Sequence, residues 1–244
     1  MGLSSIGVIF DGDDTLWETQ ILYIRAKKRF YKLMERLGFD PTEVEARFER
    51  IDFDNVQLYS FSKERFPTSM SDTYQVLSGD YNKVVDENIN KLMKSIGYSA
   101  FEKKPRVFSG VTEVLVTLRA MQLKIILATK GDQEVQEEKI SFSNLRSYFD
   151  HVYIFPEKGT RDLRRIVNEC NLDPKISWSI GNSMRSDINP ALKIGMRAIW
   201  IPKRTWGFEE EEPFDKQRVF KVRSIKEVTR ILKSQILTNG RLSS

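Results

Sequence analysis

The chain has 244 residues, of which 40% are hydrophobic and 30% are charged, and it carries a net charge of +5 and a single cysteine. A core of useful size is possible at this length, an internal disulfide is excluded, and no apolar run reaches the roughly 18 residues of a membrane span. Basic residues are interleaved with acidic ones, and the acidic run Glu209 to Glu212 would repel a polyanion, so nucleic-acid binding is not expected. We expect a cytoplasmic protein without a signal peptide, because a strand pattern begins almost at the first residue.

An apolar run that ends in three acidic residues is the most informative stretch of the chain. Residues 6–10 read Ile-Gly-Val-Ile-Phe without polar alternation, which is typical of a strand buried on both faces of a parallel sheet. Chemistry in such sheets collects beyond the carboxyl ends of the strands, and Asp11, Asp13 and Asp14 follow this strand directly. Carboxylates so close together repel one another, so the pattern favours a hard divalent cation as their partner.

Two structural alternatives exist for the same acidic stretch. The pair Asp11 and Gly12 could form the turn of a β-hairpin, but no alternating strand follows Trp17. The acids could begin a calcium-binding loop, but that pattern requires glycine where Leu16 stands and glutamate where Leu22 stands. A site at a strand end therefore explains the acids better than either alternative.

The next part of the chain, residues 19–104, is predicted to be entirely helical. Apolar residues recur there at helical spacing, and Gly38 and Gly97 are placed to end helices. Pro41 fits the first turn of a helix, whereas Pro67 is expected to interrupt one. The predicted helices cover residues 21–37, 41–51, 53–79 with the interruption, and 80–96.

From residue 105 onward, strand patterns alternate with helix patterns. The predicted strands cover residues 123–128, 152–155, 176–180, 197–201 and, at a sheet edge, 219–222. The predicted helices cover residues 110–121, 132–144, 158–171, 188–194 and 224–237. This alternation predicts an α/β fold, with a Rossmann-like parallel sheet core that has helices on both faces and an inserted all-helical cap. The predicted domains are a core of residues 1–18 and 105–244 and a cap of residues 19–104.

Polar residues follow three further predicted strands. Thr129 and Lys130 come after the second strand, Lys158 after the third, and Asn182 and Asp187 after the fourth. A hydroxyl with backbone N–H groups at a helix start can hold phosphate, and an ammonium can neutralise a phosphate and a carboxylate. Amide and carboxylate oxygens suit a metal ion. Taken singly, each has a structural alternative: a helix cap for Thr129 or Asp187, and an ordinary surface residue for Lys158.

Together the four segments resemble the motifs of the haloacid dehalogenase-like hydrolase superfamily. They read Val-Ile-Phe-Asp-Gly-Asp-Asp-Thr-Leu at residues 8–16, Ile-Leu-Ala-Thr-Lys-Gly-Asp at 126–132, Glu-Lys-Gly at 157–159 and Ile-Gly-Asn-Ser-Met-Arg-Ser-Asp-Ile at 180–188. The helical insert after the first segment resembles the C1-type cap of the dehalogenase and phosphoglycolate phosphatase branch. The resemblance implies a Mg²⁺-dependent phosphatase that acts on a small phosphorylated metabolite.

The resemblance also implies catalytic roles. Asp11 would attack phosphorus and carry an aspartyl-phosphate intermediate. Asp13 would protonate the leaving oxygen and then activate water. The phosphoryl oxygens would be bound by Thr129, Lys130 and Lys158.

The resemblance implies that Mg²⁺ binds to Asp11, the main-chain carbonyl of Asp13, Asn182 and Asp187. The family's fourth motif usually begins Gly-Asp, whereas this chain has Gly181 followed by Asn182. Asparagine keeps an oxygen ligand but loses a charge, so we expect weaker Mg²⁺ binding, with Asp187 carrying more of it.

Other functions share these motifs. A phosphonatase, a sugar-phosphate mutase and a 2-haloacid dehalogenase belong to the same superfamily, although dehalogenases typically lack an acid at the position of Asp13. A non-catalytic phospholigand-binding protein is a further alternative, which Asn182 alone suggests. We expect a small-molecule substrate and neither nucleic acid nor membrane as a partner, and an exposed cap face could support a homodimer.

Replacing Asn182 by aspartate should lower the Mg²⁺ concentration needed for half-maximal activity, because the added charge strengthens binding of a hard cation. Activity measured against Mg²⁺ concentration tests this expectation. An unchanged requirement in Asn182→Asp would show that the missing charge does not limit metal binding.

Overall fold

The computed structural model describes residues 5–102, 104–203 and 211–240, so Glu209 and Glu210 of the acidic run lie outside the described residues. The chain forms two compact units. The larger consists of Met1–Glu18, Pro105–Lys130 and Gln136–Ser244, and the smaller of Thr19–Lys104 and Gly131–Val135. In the part of the chain that the structure describes, no helix is long and apolar enough to cross a membrane.

The larger unit is built on a parallel sheet of six strands. Its strands are β1 (Gly7–Phe10), β4 (Lys124–Lys130), β5 (His151–Phe155), β6 (Trp178–Gly181), β7 (Arg197–Trp200) and β8 (Val219–Lys221). Their order across the sheet is β5-β4-β1-β6-β7-β8. A separate antiparallel ribbon pairs β2 (Trp17–Glu18) with β3 (Arg106–Val107), which the sequence analysis did not predict.

Helices cover both faces of this sheet, as predicted. The helices of the chain are α1 (Gln20–Arg36), α2 (Pro41–Tyr59), α3 (Arg65–Asp80), α4 (Glu87–Tyr98), α5 (Val111–Ala120), α6 (Gln133–Ser143), α7 (Thr160–Glu169), α8 (Asn189–Lys193) and α9 (Val228–Gly240). Val8 and Phe10 of β1 join a buried cluster that includes residues of α5 and α9. Ile9, which points to the other face, joins a cluster with residues of α7 and α8. Burial on both faces explains why this strand shows no polar alternation, and the predicted α/β fold is confirmed.

The smaller unit has its own core, formed by α1 to α4. Aromatic rings are prominent in it: the ring centroids of Tyr23 and Phe66 are 4.9 Å apart, and those of Phe48 and Phe66 are 5.8 Å apart, both in edge-to-face arrangements. Arg65 and Asp52 form an ion pair inside this unit, and both side chains are buried. The amphipathic pattern of residues 19–104 therefore reflects helices that bury their apolar faces against one another.

Several predicted boundaries are wrong. The predicted interruption of residues 53–79 is present, since α2 ends at Tyr59 and α3 begins at Arg65. It lies ahead of Pro67, which is the third residue of α3 and has no intrahelical hydrogen bond to remove. Helix α4 begins at Glu87 instead of residue 80, since the Asp86 side chain caps it by accepting hydrogen bonds from two backbone N–H groups. The same helix continues through Gly97.

Two further segments near the predicted motifs differ from expectation. Strand β4 runs through Thr129 to Lys130, so both residues end the strand instead of following it. A π-helical turn over Met184–Ile188 precedes α8, where the sequence predicted an ordinary helix from residue 188. Such turns are rare and occur often at functional sites.

Gly97 is placed where no larger residue fits. A Cβ atom there would lie 2.5 Å from the Cα atom of Pro67, a backbone atom that cannot move aside easily. We therefore expect Gly97→Ala to lower the free energy of unfolding by about 1–3 kcal/mol. Thermal and urea denaturation followed by circular dichroism would measure the change.

The matched control is Gly79→Ala in α3. Nothing lies within 4 Å of a Cβ atom added at Gly79, so this substitution should stabilise the protein by about 0.5–1 kcal/mol through helix propensity. If Gly97→Ala and Gly79→Ala changed the free energy of unfolding by the same amount, the close approach of Pro67 to Gly97 would be contradicted.

Candidate functional site

Three buried charged side chains, Asp11, Lys158 and Asp187, form the centre of the site. The Nζ atom of Lys158 lies 2.6 Å from Asp11 Oδ1 and 2.7 Å from Asp187 Oδ1. It also donates a hydrogen bond of 2.7 Å to the main-chain oxygen of Ala128 in β4. Asp11 follows β1, Lys158 follows β5 and Asp187 follows β6. The carboxyl ends of parallel strands meet at one edge of a sheet, which brings these residues together.

The charges in this group are unbalanced when both carboxylates are ionised. Burial, and then the charge of Asp187, raise the pKa of Asp11 to about 7, although Lys158 opposes the shift. Burial alone would lower the pKa of Lys158, but the charges of Asp11 and Asp187 outweigh it and raise that pKa. The raised pKa of Lys158 favours its charged form, and ionisation of both carboxylates leaves an excess of negative charge that a further cation would relieve.

Oxygen atoms suited to a hard cation surround the two acids. The hydroxyl of Thr15 lies 3.2 Å from Asp11 Oδ2 and 3.3 Å from Asn182 Oδ1, so it joins the first and fourth motifs. Oδ2 of Asp187 accepts a hydrogen bond of 2.9 Å from the N–H of Ser183. Its Oδ1 is buried beside Lys158 yet has no aligned hydrogen bond.

The donor set fits Mg²⁺, which prefers oxygen ligands. It contains the carboxylates of Asp11 and Asp187 and the amide oxygen of Asn182. Among the described residues, no group of three or more carboxylate, imidazole or thiolate side chains is placed to hold a metal ion. A cation here would therefore depend on the Asn182 amide and on main-chain oxygens as well.

Two glycines at the site provide space for other side chains. A Cβ atom on Gly181 would lie 2.2 Å from Asp187 Oδ2, and one on Gly12 would lie 2.6 Å from the Trp17 ring. Neither glycine has a positive φ angle. At Gly181 the missing side chain leaves room for the Asp187 carboxylate.

The carboxylate of Asp13 is hydrogen-bonded away from the Asp11 and Asp187 pair. Its Oδ1 accepts a hydrogen bond of 2.7 Å from the indole N–H of Trp17. Its Oδ2 accepts hydrogen bonds of 2.9 Å from the Gln136 amide and 2.7 Å from the Lys139 ammonium. Both of its oxygens are therefore held by neighbouring donors.

Gln136 and Lys139 were not predicted from the sequence. Both lie on α6 and are buried, although lysine and glutamine on a helix are usually exposed. A signal was present in the sequence, because the two residues lie between the apolar Val135 and Ile140 at the spacing of one helix face. A lysine on the buried face of a helix requires an ion-pair or hydrogen-bond partner, and the carboxylate of Asp13 is that partner.

The remaining predicted residues lie at the same edge of the sheet. The hydroxyl of Thr129 donates a hydrogen bond of 3.2 Å to the side-chain oxygen of Gln136, and Lys130 Nζ donates one of 3.1 Å to the Ser186 hydroxyl. Thr129 is thus linked to Asp13 through Gln136. The structure shows where these residues lie, and their assignment as phosphate ligands stays a prediction.

Comparison with known proteins gives consistent relationships. A family model described as haloacid dehalogenase-like hydrolase matches residues 8–201. The glyceraldehyde 3-phosphate phosphatase of Pyrococcus abyssi is 25% identical over 203 residues, which cover 80% of either chain. The N-acylneuraminate-9-phosphatase of Mus musculus is 26% identical over 217 residues, or 83% of this chain and 85% of that one. A crystal structure of a haloacid dehalogenase-like family hydrolase from Xanthomonas campestris has a TM-score of 0.78 at 25% identity and covers 96% of this chain and 98% of that one.

Replacing Lys158 by methionine should lower the free energy of unfolding by about 3–5 kcal/mol, because two buried carboxylates then face each other without an ammonium. Urea denaturation of wild type and variant would measure the loss. Adding Asp187→Asn to Lys158→Met should restore part of the stability by removing one of the unpaired charges. A double variant no more stable than Lys158→Met would show that charge is not the cause.

Proposed function

Because the chain belongs to the haloacid dehalogenase-like hydrolase family, we propose that it is a Mg²⁺-dependent phosphatase that hydrolyses a small phosphorylated metabolite. The observation that carries this proposal is the placement of Asp11 beside Lys158 at the end of β1, with Asp13 two residues further on. A carboxylate nucleophile next to a buried ammonium suits an anionic substrate, since the ammonium attracts the phosphate. The relatives named as phosphatases support the same activity.

The first step of the proposed reaction transfers the phosphoryl group to the protein. A carboxylate oxygen of Asp11 attacks phosphorus, the bond from phosphorus to the ester oxygen breaks, and that oxygen takes a proton from the carboxylic acid of Asp13. The products are an alcohol and an aspartyl-phosphate on Asp11. Thr129, Lys130 and Lys158 would hold the phosphoryl oxygens during the transfer.

The second step restores the protein. Water attacks the same phosphorus, a proton of the water passes to the Asp13 carboxylate, and the bond between phosphorus and Asp11 breaks. Inorganic phosphate leaves and Asp11 is again a carboxylate. Asp11, the main-chain carbonyl of Asp13, Asn182 and Asp187 would hold Mg²⁺, whose positive charge would reduce the repulsion between the anionic substrate and Asp11.

Hydrolysis of para-nitrophenyl phosphate with and without Mg²⁺ tests the proposal. Wild type should turn over only with Mg²⁺, and Asp11→Asn should lose at least about a thousandfold in kcat, because the nucleophile is removed. Circular dichroism would verify that the variant folds.

The matched control is Asp14→Asn. It makes the same chemical change three residues away, at a backbone φ of 58° that asparagine adopts readily. Asp14→Asn should keep its activity within about threefold of wild type, as expected for a residue outside the chemistry. Turnover retained in Asp11→Asn, or turnover of wild type that is independent of Mg²⁺, would overturn the proposed function.

A further inference from the structure

We propose that Gln136 and Lys139 of α6 are positioning residues that hold Asp13 in place for its two proton transfers. This inference rests on the proposed function, which makes Asp13 the proton donor in the first step and the acceptor in the second. It goes beyond that function because it assigns roles to two residues outside the four motifs.

Lys139 is the first observation. Its side chain lies within the folded protein, with 8% of the residue exposed, and its Nζ donates a 2.7 Å hydrogen bond to Asp13 Oδ2. Burying a lysine is costly unless its charge is compensated, and a charge-assisted hydrogen bond to a carboxylate provides compensation. Lys139 is therefore buried, at a cost in free energy, beside the residue proposed to act as acid and base.

Gln136 is the second observation. Its amide nitrogen donates hydrogen bonds to Asp13 Oδ2 and to the main-chain oxygen of Lys130, at 2.9 Å and 3.0 Å, and its amide oxygen accepts from Thr129. These three contacts fix the amide orientation, so the donor toward Asp13 cannot turn away without loss elsewhere. Gln136 and Lys139 are three residues apart on one helix, which places both on the same face.

The geometry assigns the two oxygens of Asp13 to different partners. Gln136 and Lys139 hold Oδ2, while the indole N–H of Trp17 holds Oδ1. Gln136 and Lys139 therefore anchor one oxygen, which leaves Oδ1 as the oxygen that can exchange its Trp17 hydrogen bond for the substrate oxygen or for water. A carboxylate anchored on one side keeps the reacting oxygen within reach, and misplacement of such a group slows the reaction strongly.

The two chemical steps depend on Asp13 to different extents when the leaving group is activated. Para-nitrophenolate leaves without a proton, so transfer of the phosphoryl group to Asp11 depends only weakly on proton donation by Asp13. The attack of water on the aspartyl-phosphate still needs Asp13 as a base. Poor positioning of Asp13 should therefore slow the second step more than the first, and aspartyl-phosphate should accumulate on Asp11. General damage to the site would slow both steps without this accumulation.

The experiment measures rapid release of para-nitrophenolate by wild type and by Lys139→Met in the presence of Mg²⁺. Lys139→Met should lower the steady-state kcat by about 10- to 100-fold. It should also show an initial burst close to one nitrophenolate per active site, and acid quenching should recover phosphorylated Asp11. Lys139→Arg, which keeps the charge and the donors, should regain most of the lost rate.

The matched control is Lys124→Met, the same substitution at a half-buried lysine whose Nζ donates a 2.7 Å hydrogen bond to the main-chain oxygen of Cys170. It should show neither the burst nor the loss of kcat. In an Asp13→Asn background, Lys139→Met should change kcat by less than about twofold, because a residue that acts through Asp13 has nothing left to position.

Loss of activity in Lys139→Met without a burst, or an equal loss in the wild-type and Asp13→Asn backgrounds, would overturn the positioning role. Failure of the proposed function looks different, since wild type itself would then release no nitrophenolate at any Mg²⁺ concentration.

Discussion

The ammonium of Lys158 lies between two buried carboxylates, and the candidate site depends on this contact. Buried ion pairs contribute little net stability, because desolvation of the charges offsets their attraction. Two buried acids that share one lysine contribute even less to stability than a simple ion pair, because one negative charge remains uncompensated. Their retention inside the protein is instead what a phosphoryl-transfer site needs, where positive charge must be present before an anionic substrate arrives. Asp11 and Asp187 hold Lys158 in its charged form, and Lys158 in turn allows the two acids to remain close.

The order of strands explains how these residues meet. From β1 the chain goes to β4 and then to β5 on one side, and it later crosses to β6, β7 and β8 on the other side. The direction of winding therefore reverses at β1, and a crevice forms at such a point beyond the carboxyl ends of the strands. Asp11 leaves β1 in this crevice, with Thr129 on one neighbouring strand and the fourth motif after the other. Side chains from three neighbouring strands and the loops that follow them therefore reach the same space beyond the carboxyl end of β1.

The sequence was a good guide wherever a residue follows a buried strand. Asp11, Lys158 and Asp187 could be placed together because parallel strands end at the same edge, and that rule needs no knowledge of side-chain packing. The contact between Lys139 and Asp13 was not predicted, because a lysine on a helix is ordinarily exposed. Its place beside the apolar Ile140 indicates a buried helix face, but only the packing of α6 shows which group its Nζ contacts. Local capping also overrode the apolar pattern in the smaller unit, where Asp86 sets the start of α4.

Gly181 has a consequence for how this sequence can vary. Its missing side chain leaves the volume that the Asp187 carboxylate occupies, with only 2.2 Å available to a Cβ atom. Substitution at residue 181 and retention of the acid at residue 187 in its present position are therefore incompatible. Residue 181 can therefore change only where the acid at residue 187 is lost or moved, so steric exclusion fixes the spacing between the end of β6 and the acid. A family alignment should show this as a covariation in which glycine is lost only where the acid six residues later is lost as well.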